Sequence, residues 1–371
     1  MKAKKVFIVP LFFLSVYVFL LYKNVSIPIE SISIPSISVI DTKNVSNELY
    51  YIIDTLTYNY KQNSTIKKVN PSVDAITPGE ARHNYNLKSK GYLFPGLQKV
   101  LLFGENICYS GIDTFITMVF STSTYNDTSQ CAVITIPGRT FLDTNLPGND
   151  DVAEFTEGLL KNCKYDNFFS DNYKLMDVYY YLANEGYNLC LPHIRIEDSQ
   201  PSIDGMVIFK KDKIAKLLDL NESKIMNLLR ESDVVGNIYL KDSNTEILDC
   251  TLLSKRKVYC DKIGDKYFFT IKLSARGEVY SNSIYDKLSE DQASIDEVER
   301  RIEEKLIAKC NGFIHQMQNN YKVDCLNLGK HIIAKEGFNK DDNIDYNELV
   351  CNSEIKVVVD LLIETFGRGD F

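Results

Sequence analysis

Apolar residues recur at 295, 298, 302, 306, 310, 313 and 317, a helical period that predicts one long helix late in the chain. Ser294-Ile295-Asp296-Glu297 has the spacing of a capping box and predicts its start. After a shorter helix, from about Asp324 to Glu336, the pattern changes to a period of two. Ile355, Val357, Val359, Leu361 and Ile363 alternate with Lys356, Asp360 and Glu364, as a half-buried strand does. Upstream the signals are apolar runs between breakers. Lys99–Phe103 reads as a buried strand, Gly104 ends it, residues 105–120 read as helix, and 131–136 as a second strand stopped by Pro137-Gly138. That is a β-α-β arrangement. A helix over Asn172–Asn184 precedes strand signals at 190–196 and 205–209, with Lys210-Lys211-Asp212-Lys213 as the turn after them. Asn221 serves as N-cap for a helix through Glu231, and strands follow at 246–253, 256–260 and 267–273. The long antiparallel stretches predict an α+β fold rather than a doubly wound sheet.

The first 23 residues carry a different pattern. Lys2, Lys4 and Lys5 precede an unbroken apolar run from Val6 to Tyr22, closed by Lys23. As a helix this run reaches about 26 Å, enough for one thin bilayer. The lysine asymmetry predicts a cytoplasmic N-terminus. Residues after Tyr22 offer no small-x-small cleavage pair, and the first cysteine is Cys108, so an uncleaved anchor is the expected reading. The expected division is therefore a single transmembrane anchor at 1–23 and an extended Ser/Ile/Pro tether at 24–45. An N-terminal α/β-type domain at 46–197 and a C-terminal α+β region at 198–371 follow, with 198–245 a possible small subdomain of the latter. This makes a mixed multidomain extracytoplasmic body.

Composition narrows the partners. A formal charge of −8 argues against nucleic acid and against the body lying on an anionic lipid surface. The nine cysteines contain no C-x-x-C, which disfavours zinc ribbons and redox pairs. Cys250 and Cys260 are the nearest couple for a bridge, but most of the nine read as small buried residues. Gly104-Glu105 puts an acid where a phosphate loop would hold its anion. Asp341-Asp342-Asn343-Ile344-Asp345 begins like a calcium loop, yet Tyr346 and Asn352 stand where its glycine and bidentate glutamate belong, so it reads as an acidic turn. His83, His193, His315 and His331 form no ligand pair, and no G-x-S-x-G elbow occurs. Tyr179-Tyr180-Tyr181 reads as helix packing before it reads as a ligand wall. The residues assign no catalytic group, no metal ligand and no cofactor, and they leave ligand-contact residues unassigned.

Three collinear blocks carry a resemblance. They are Leu93–Glu105 (LFPGLQKVLLFGE), Leu191–Asp198 with Ile203–Lys213 (LPHIRIED, IDGMVIFKKDK), and the stretch from Glu297 through Asp324 to the final strand. Together they resemble the Ger(x)C family, the C subunits of nutrient germinant receptors in endospore-forming bacteria. Two departures stand out: the family's lipid-bearing cysteine is replaced by the Val6–Tyr22 run, and its Gly-His pair is Gly96-Leu97 here. Residues 24–84 match the family poorly. The resemblance implies a non-enzymatic receptor subunit on the outer face of the inner spore membrane. It implies two polytopic partner subunits, A- and B-type, one of them permease-like, and a role in nutrient-triggered germination. It carries over no site residues and leaves open whether this subunit touches the nutrient. A membrane-tethered solute-binding module and a cell-wall hydrolase are the alternative readings.

Overall fold

In the computed structural model, which describes residues 17, 28, 31–61, 64–69, 72–122, 124–147, 151–337 and 344–366, the chain folds around two sheets. The first has ten strands: β1 (Ile32–Val45), β2 (Glu48–Lys61), β3 (Ser64–Val69), β4 (Val73–Ala75), β5 (Tyr92–Leu93), β6 (Val100–Gly104), β7 (Gln130–Ile134), β8 (Cys190–Glu197), β9 (Gln200–Lys210) and β10 (Lys213–Asp219). Their order is β10-β9-β8-β7-β6-β1-β2-β3, with β4 on β2 and β5 on β1. The central four, β8, β7, β6 and β1, are parallel, and antiparallel strands flank them on both sides.

The helices are α1 (Pro78–Lys88), α2 (Glu105–Ser110), α3 (Asp113–Phe120), α4 (Gly138–Leu142), α5 (Val152–Asn162), α6 (Leu175–Ala183), α7 (Leu220–Arg230), α8 (Gln292–Gln316), α9 (Gly329–Glu336) and α10 (Tyr346–Cys351). They explain why β6 and β7 are buried at every position and almost wholly apolar. Leu101, Phe103, Cys131 and Val133 face a core shared with α2 and α3, whereas Val100, Leu102, Ala132 and Ile134 face another shared with α4 and α5. A strand covered on both faces loses its alternation.

The second sheet runs β11-β12-β13-β14, comprising β11 (Val234–Lys241), β12 (Ile247–Ile263), β13 (Lys266–Asn282) and β14 (Glu354–Thr365). Val298, Ile302, Leu306, Cys310, Phe313 and Met317 are buried, so the predicted helical stripe is the face α8 and the turn after it lay on the core. The same helix closes the edge of β14. The Leu361 amide donates to Glu303 Oε1 (2.8 Å) and the Ile363 amide to Glu299 Oε1 (2.7 Å). Edge N–H groups satisfied this way are withdrawn from pairing with another chain.

Several expectations change. Residues 32–45, read as tether, are β1, an interior strand between β6 and β2. Their Ser/Ile alternation is strand periodicity, with Ser33, Ser36 and Ser38 buried and hydrogen-bonded. β9 and β10, which follow residue 197, pair onto β8 and complete the first sheet. The stretch 105–120 is two helices broken at Gly111, whose φ of 119° ends the first. The long helix starts at Gln292, capped by Asp291 rather than Ser294, and α7 is capped by Asp219 rather than Asn221. The helix read from Asp324 starts only at Gly329, and strands 246–253 and 256–260 are one 17-residue strand. The Val6–Tyr22 run lies outside the described residues apart from Tyr17, and no described helix is long and apolar enough to cross a membrane.

Candidate functional site

The two ends of α7 carry the features that stand out from ordinary packing. At its N-terminus a cleft of about 570 Å³ opens between β8, β9, β10 and the first turn, lined by Arg195, Ser202, Asp204, Leu217, Asp219 and Asn221. That volume lies within the range of small-molecule sites. Asp204 is its organising acid. One carboxylate oxygen meets His193 Nδ1 at 2.5 Å, and the other faces Arg195 Nε at 3.7 Å. The imidazole is buried, and its Nε2 has no protein partner. The β8–β9 register shifts between His193 and Ile194, a bulge of the kind that re-aims side chains at sites. Asp219 and Glu222 form the capping box that starts α7, and the Tyr321 hydroxyl donates to Glu222 Oε1 (2.7 Å).

At the other end, Arg230 is buried between the two sheets. Its guanidinium donates to the carbonyls of Cys325 (2.8 Å) and Asn188 (2.9 Å), to Asn327 Oδ1 (3.2 Å) and to Glu231 Oε1 (2.9 Å), and lies 5.0 Å from the Tyr181 ring centre. Asn188, just before β8, also donates to the Asp324 carbonyl (3.0 Å) and to Asn347 Oδ1 (2.7 Å). Asp324 accepts from the Gly329 and Leu326 amides (2.7 and 3.2 Å), while burial pushes its carboxyl above the usual range. Arg256 reaches the Leu326 carbonyl (3.0 Å), and burial holds its guanidinium down to about 10. Buried charges persist where each is hydrogen-bonded. This network joins the first sheet, α7 and the segment before α9. At 1.5 Å per residue, the eleven residues of α7 separate cleft from junction by about 16 Å.

Residues singled out in the sequence mostly have structural employment. Gly104 admits the Asp41 carboxylate, since a Cβ there would lie 2.3 Å from Asp41 Cγ. Asp41 in turn accepts from the Ile107 amide (3.0 Å) and Asn106 Nδ2 (3.1 Å), so the protein's own acid occupies the place of a phosphate. Asp345 caps α10 and pairs with Lys210 (3.2 Å), while residues 341–343 lie outside the described set. Tyr179 stacks on Phe120, Tyr180 meets Tyr187, and Tyr181 packs on Arg230. His331 is half-buried near Arg256 and Lys330; burial first, then those cations, holds its ring down to about 4. All nine cysteines are free. Cys250 and Cys260 sit ten residues apart on β12, about 33 Å along one strand, so they cannot bridge. Among the described residues, no cluster of three or more His, Cys, Asp or Glu side chains is placed to hold a metal ion. The His193–Asp204 pair and Arg230 carry no local motif, because the fold brings together residues 11 positions apart across the β8–β9 hairpin and segments 95 residues apart.

Comparison with known proteins places this architecture. A family model described as the spore germination protein N-terminal domain matches residues 26–196, and one described as spore germination B3/GerAC like, C-terminal, matches residues 204–367. The crystal structure of the GerBC protein superposes with a TM-score of 0.51 over 88% of this chain and 97% of that one, at 13% identity, a likeness of fold. No curated protein matches the chain in sequence. The two domains in tandem define a spore germination protein. The chain belongs to the GerAC-like family, the Ger(x)C family that its sequence blocks resemble.

Proposed function

We propose that this protein is the C-type subunit of a nutrient germinant receptor, required for spores to leave dormancy when nutrient appears. The observation that carries this reading is the pair of family domains following one another along nearly all of the described chain. The fold shared with GerBC along most of both chains supports it. The subunit acts without catalysis. It is held by the Val6–Tyr22 run in the inner spore membrane, with its body on the outer face, beside two polytopic subunits of A and B type. In that setting α7 joins a solute-sized cleft to the buried Arg230 junction, so a change at one end bears on the packing at the other.

Co-purification tests the reading. A C-terminally tagged chain extracted from spore membranes with mild detergent is expected to bring down two multispan proteins in stoichiometric amounts. A chain that elutes alone, with its membrane fraction otherwise intact, contradicts it.

A further inference from the structure

β1 enters the fold beside a rim of exposed apolar and basic side chains. Ile32 pairs with Tyr92 and Ser33 with Leu93, so the turn before β5 lies directly beside the point where β1 enters the fold. Gly91 presses on that entry, since a Cβ there would stand 2.9 Å from Ile32 C and Ser33 N. Around it are exposed apolar and basic side chains. Leu87 is 74% exposed, Leu97 62% and Tyr92 46%. Lys88 and Lys90 are exposed and have no ion-pair partner among the described residues. Arg82 Nη2 donates to the Tyr92 hydroxyl (3.3 Å), with its guanidinium 5.9 Å from that ring. Asp74, itself paired with Lys43 (2.6 Å), is the acid within electrostatic reach of Lys88. Leucine, tyrosine and lysine on one rim make the composition that settles at a bilayer interface.

Chain length selects the occupant. From Tyr22 to Ser31 the chain spans at most about 30 Å when fully extended. The turn in which the Ser31 amide donates to the Pro28 carbonyl (2.9 Å) shortens it further. A body of this size is roughly 50 Å across, so the leash cannot carry its far side to the membrane. We infer that the rim of Arg82, Leu87, Lys88, Lys90, Tyr92 and Leu97 rests on the anionic lipid surface and fixes the orientation of the body. This rests on the anchor assigned above. The net charge of −8 argues against the body as a whole lying on such a surface, but lipid attraction decays within a Debye length, so this rim answers to its local cations.

The chain has no tryptophan, so single reporters are unambiguous. Full-length Leu97→Trp, Tyr92→Trp and, as a distant control, Ile263→Trp at the β12–β13 tip are reconstituted in phosphatidylglycerol-containing vesicles with and without brominated lipid. The first two are expected to lose about half or more of their emission to bromine and the control none, with Lys88→Glu/Lys90→Glu reversing most of the loss. Unquenched Leu97→Trp and Tyr92→Trp in chains that float with the vesicles overturn the inference while sparing the anchor. So does shielding that arises only when the polytopic partners are present, which would give the rim to protein. Chains that do not float at all refute the anchor, and the inference with it.

Discussion

Replacing Arg230 with methionine tests whether the junction at the end of α7 holds the two sheets together. Methionine fills much of the arginine stem's volume, so the perturbation is chiefly the loss of donors. The carbonyls of Cys325 and Asn188 and the Asn327 side-chain oxygen then lose their guanidinium partner in a buried site. Each buried group left unsatisfied costs about 1–3 kcal/mol, and removing one member of a buried charged network typically costs about 3–5 kcal/mol in total. We expect a loss near that range, a large share of the ~5–15 kcal/mol that stabilises ordinary proteins. Arg230→Lys keeps the charge but not the planar fork, so it falls between the parent and Arg230→Met. The assay is urea unfolding of the full chain in detergent, followed by circular dichroism and tyrosine fluorescence, with Asn327→Ala completing a double-mutant cycle. A coupling of about 1 kcal/mol or more is expected for residues in one network. An Arg230→Met chain within about 0.5 kcal/mol of the parent, or strict additivity, would refute the reasoning.

Other consequences are more local. Gly104→Ala drives a methyl into the Asp41 carboxylate that caps α2, and we expect a loss of about 1–3 kcal/mol in the same unfolding assay; an unchanged midpoint contradicts the packing. His331 is held neutral to about 4, whereas an unfolded imidazole takes its proton near ~6.5. Between those values the unfolded chain binds more protons, so stability is full above the upper value and falls as pH drops toward the lower one. His331→Gln should flatten that decline, and identical pH profiles for the two proteins would dismiss the effect. Alkylation after denaturation without reductant should label all nine cysteines, and mass spectrometry finding fewer would reveal a bridge that the β12 geometry forbids for Cys250–Cys260.

The C-terminal half was the more legible in sequence, for a physical reason. α8 and β14 each bury one face, so their residues keep the full period of a helix or a strand. β6 and β7 bury both faces and still announced themselves as apolar runs between breakers. β1 misled because serine and proline weigh toward linker in composition. Its serines are instead satisfied internally, Ser38 by Gln98 (3.0 Å) and Ser33 by Tyr85 (3.0 Å). Such partners lie 52 and 60 residues away, beyond any local pattern. The cleft and the junction were hidden for the same reason. His193 looked like one more residue of an apolar strand until the β8–β9 hairpin set Asp204 against it. The helix starts were misplaced by two and three residues because Asp219 and Asp291 outcompete the neighbouring Asn221 and Ser294 as caps, each accepting from the backbone of the first turn.

The central claim, a subunit through which spores respond to nutrient, is tested most directly by dipicolinate release from spores lacking this gene. Nutrient addition is compared with a trigger that bypasses nutrient receptors, and the full-length gene is restored in a parallel strain. The account predicts that nutrient-stimulated release is lost, the bypass trigger still works, and complementation restores the response. Normal release to every nutrient that triggers the parent spores would contradict it.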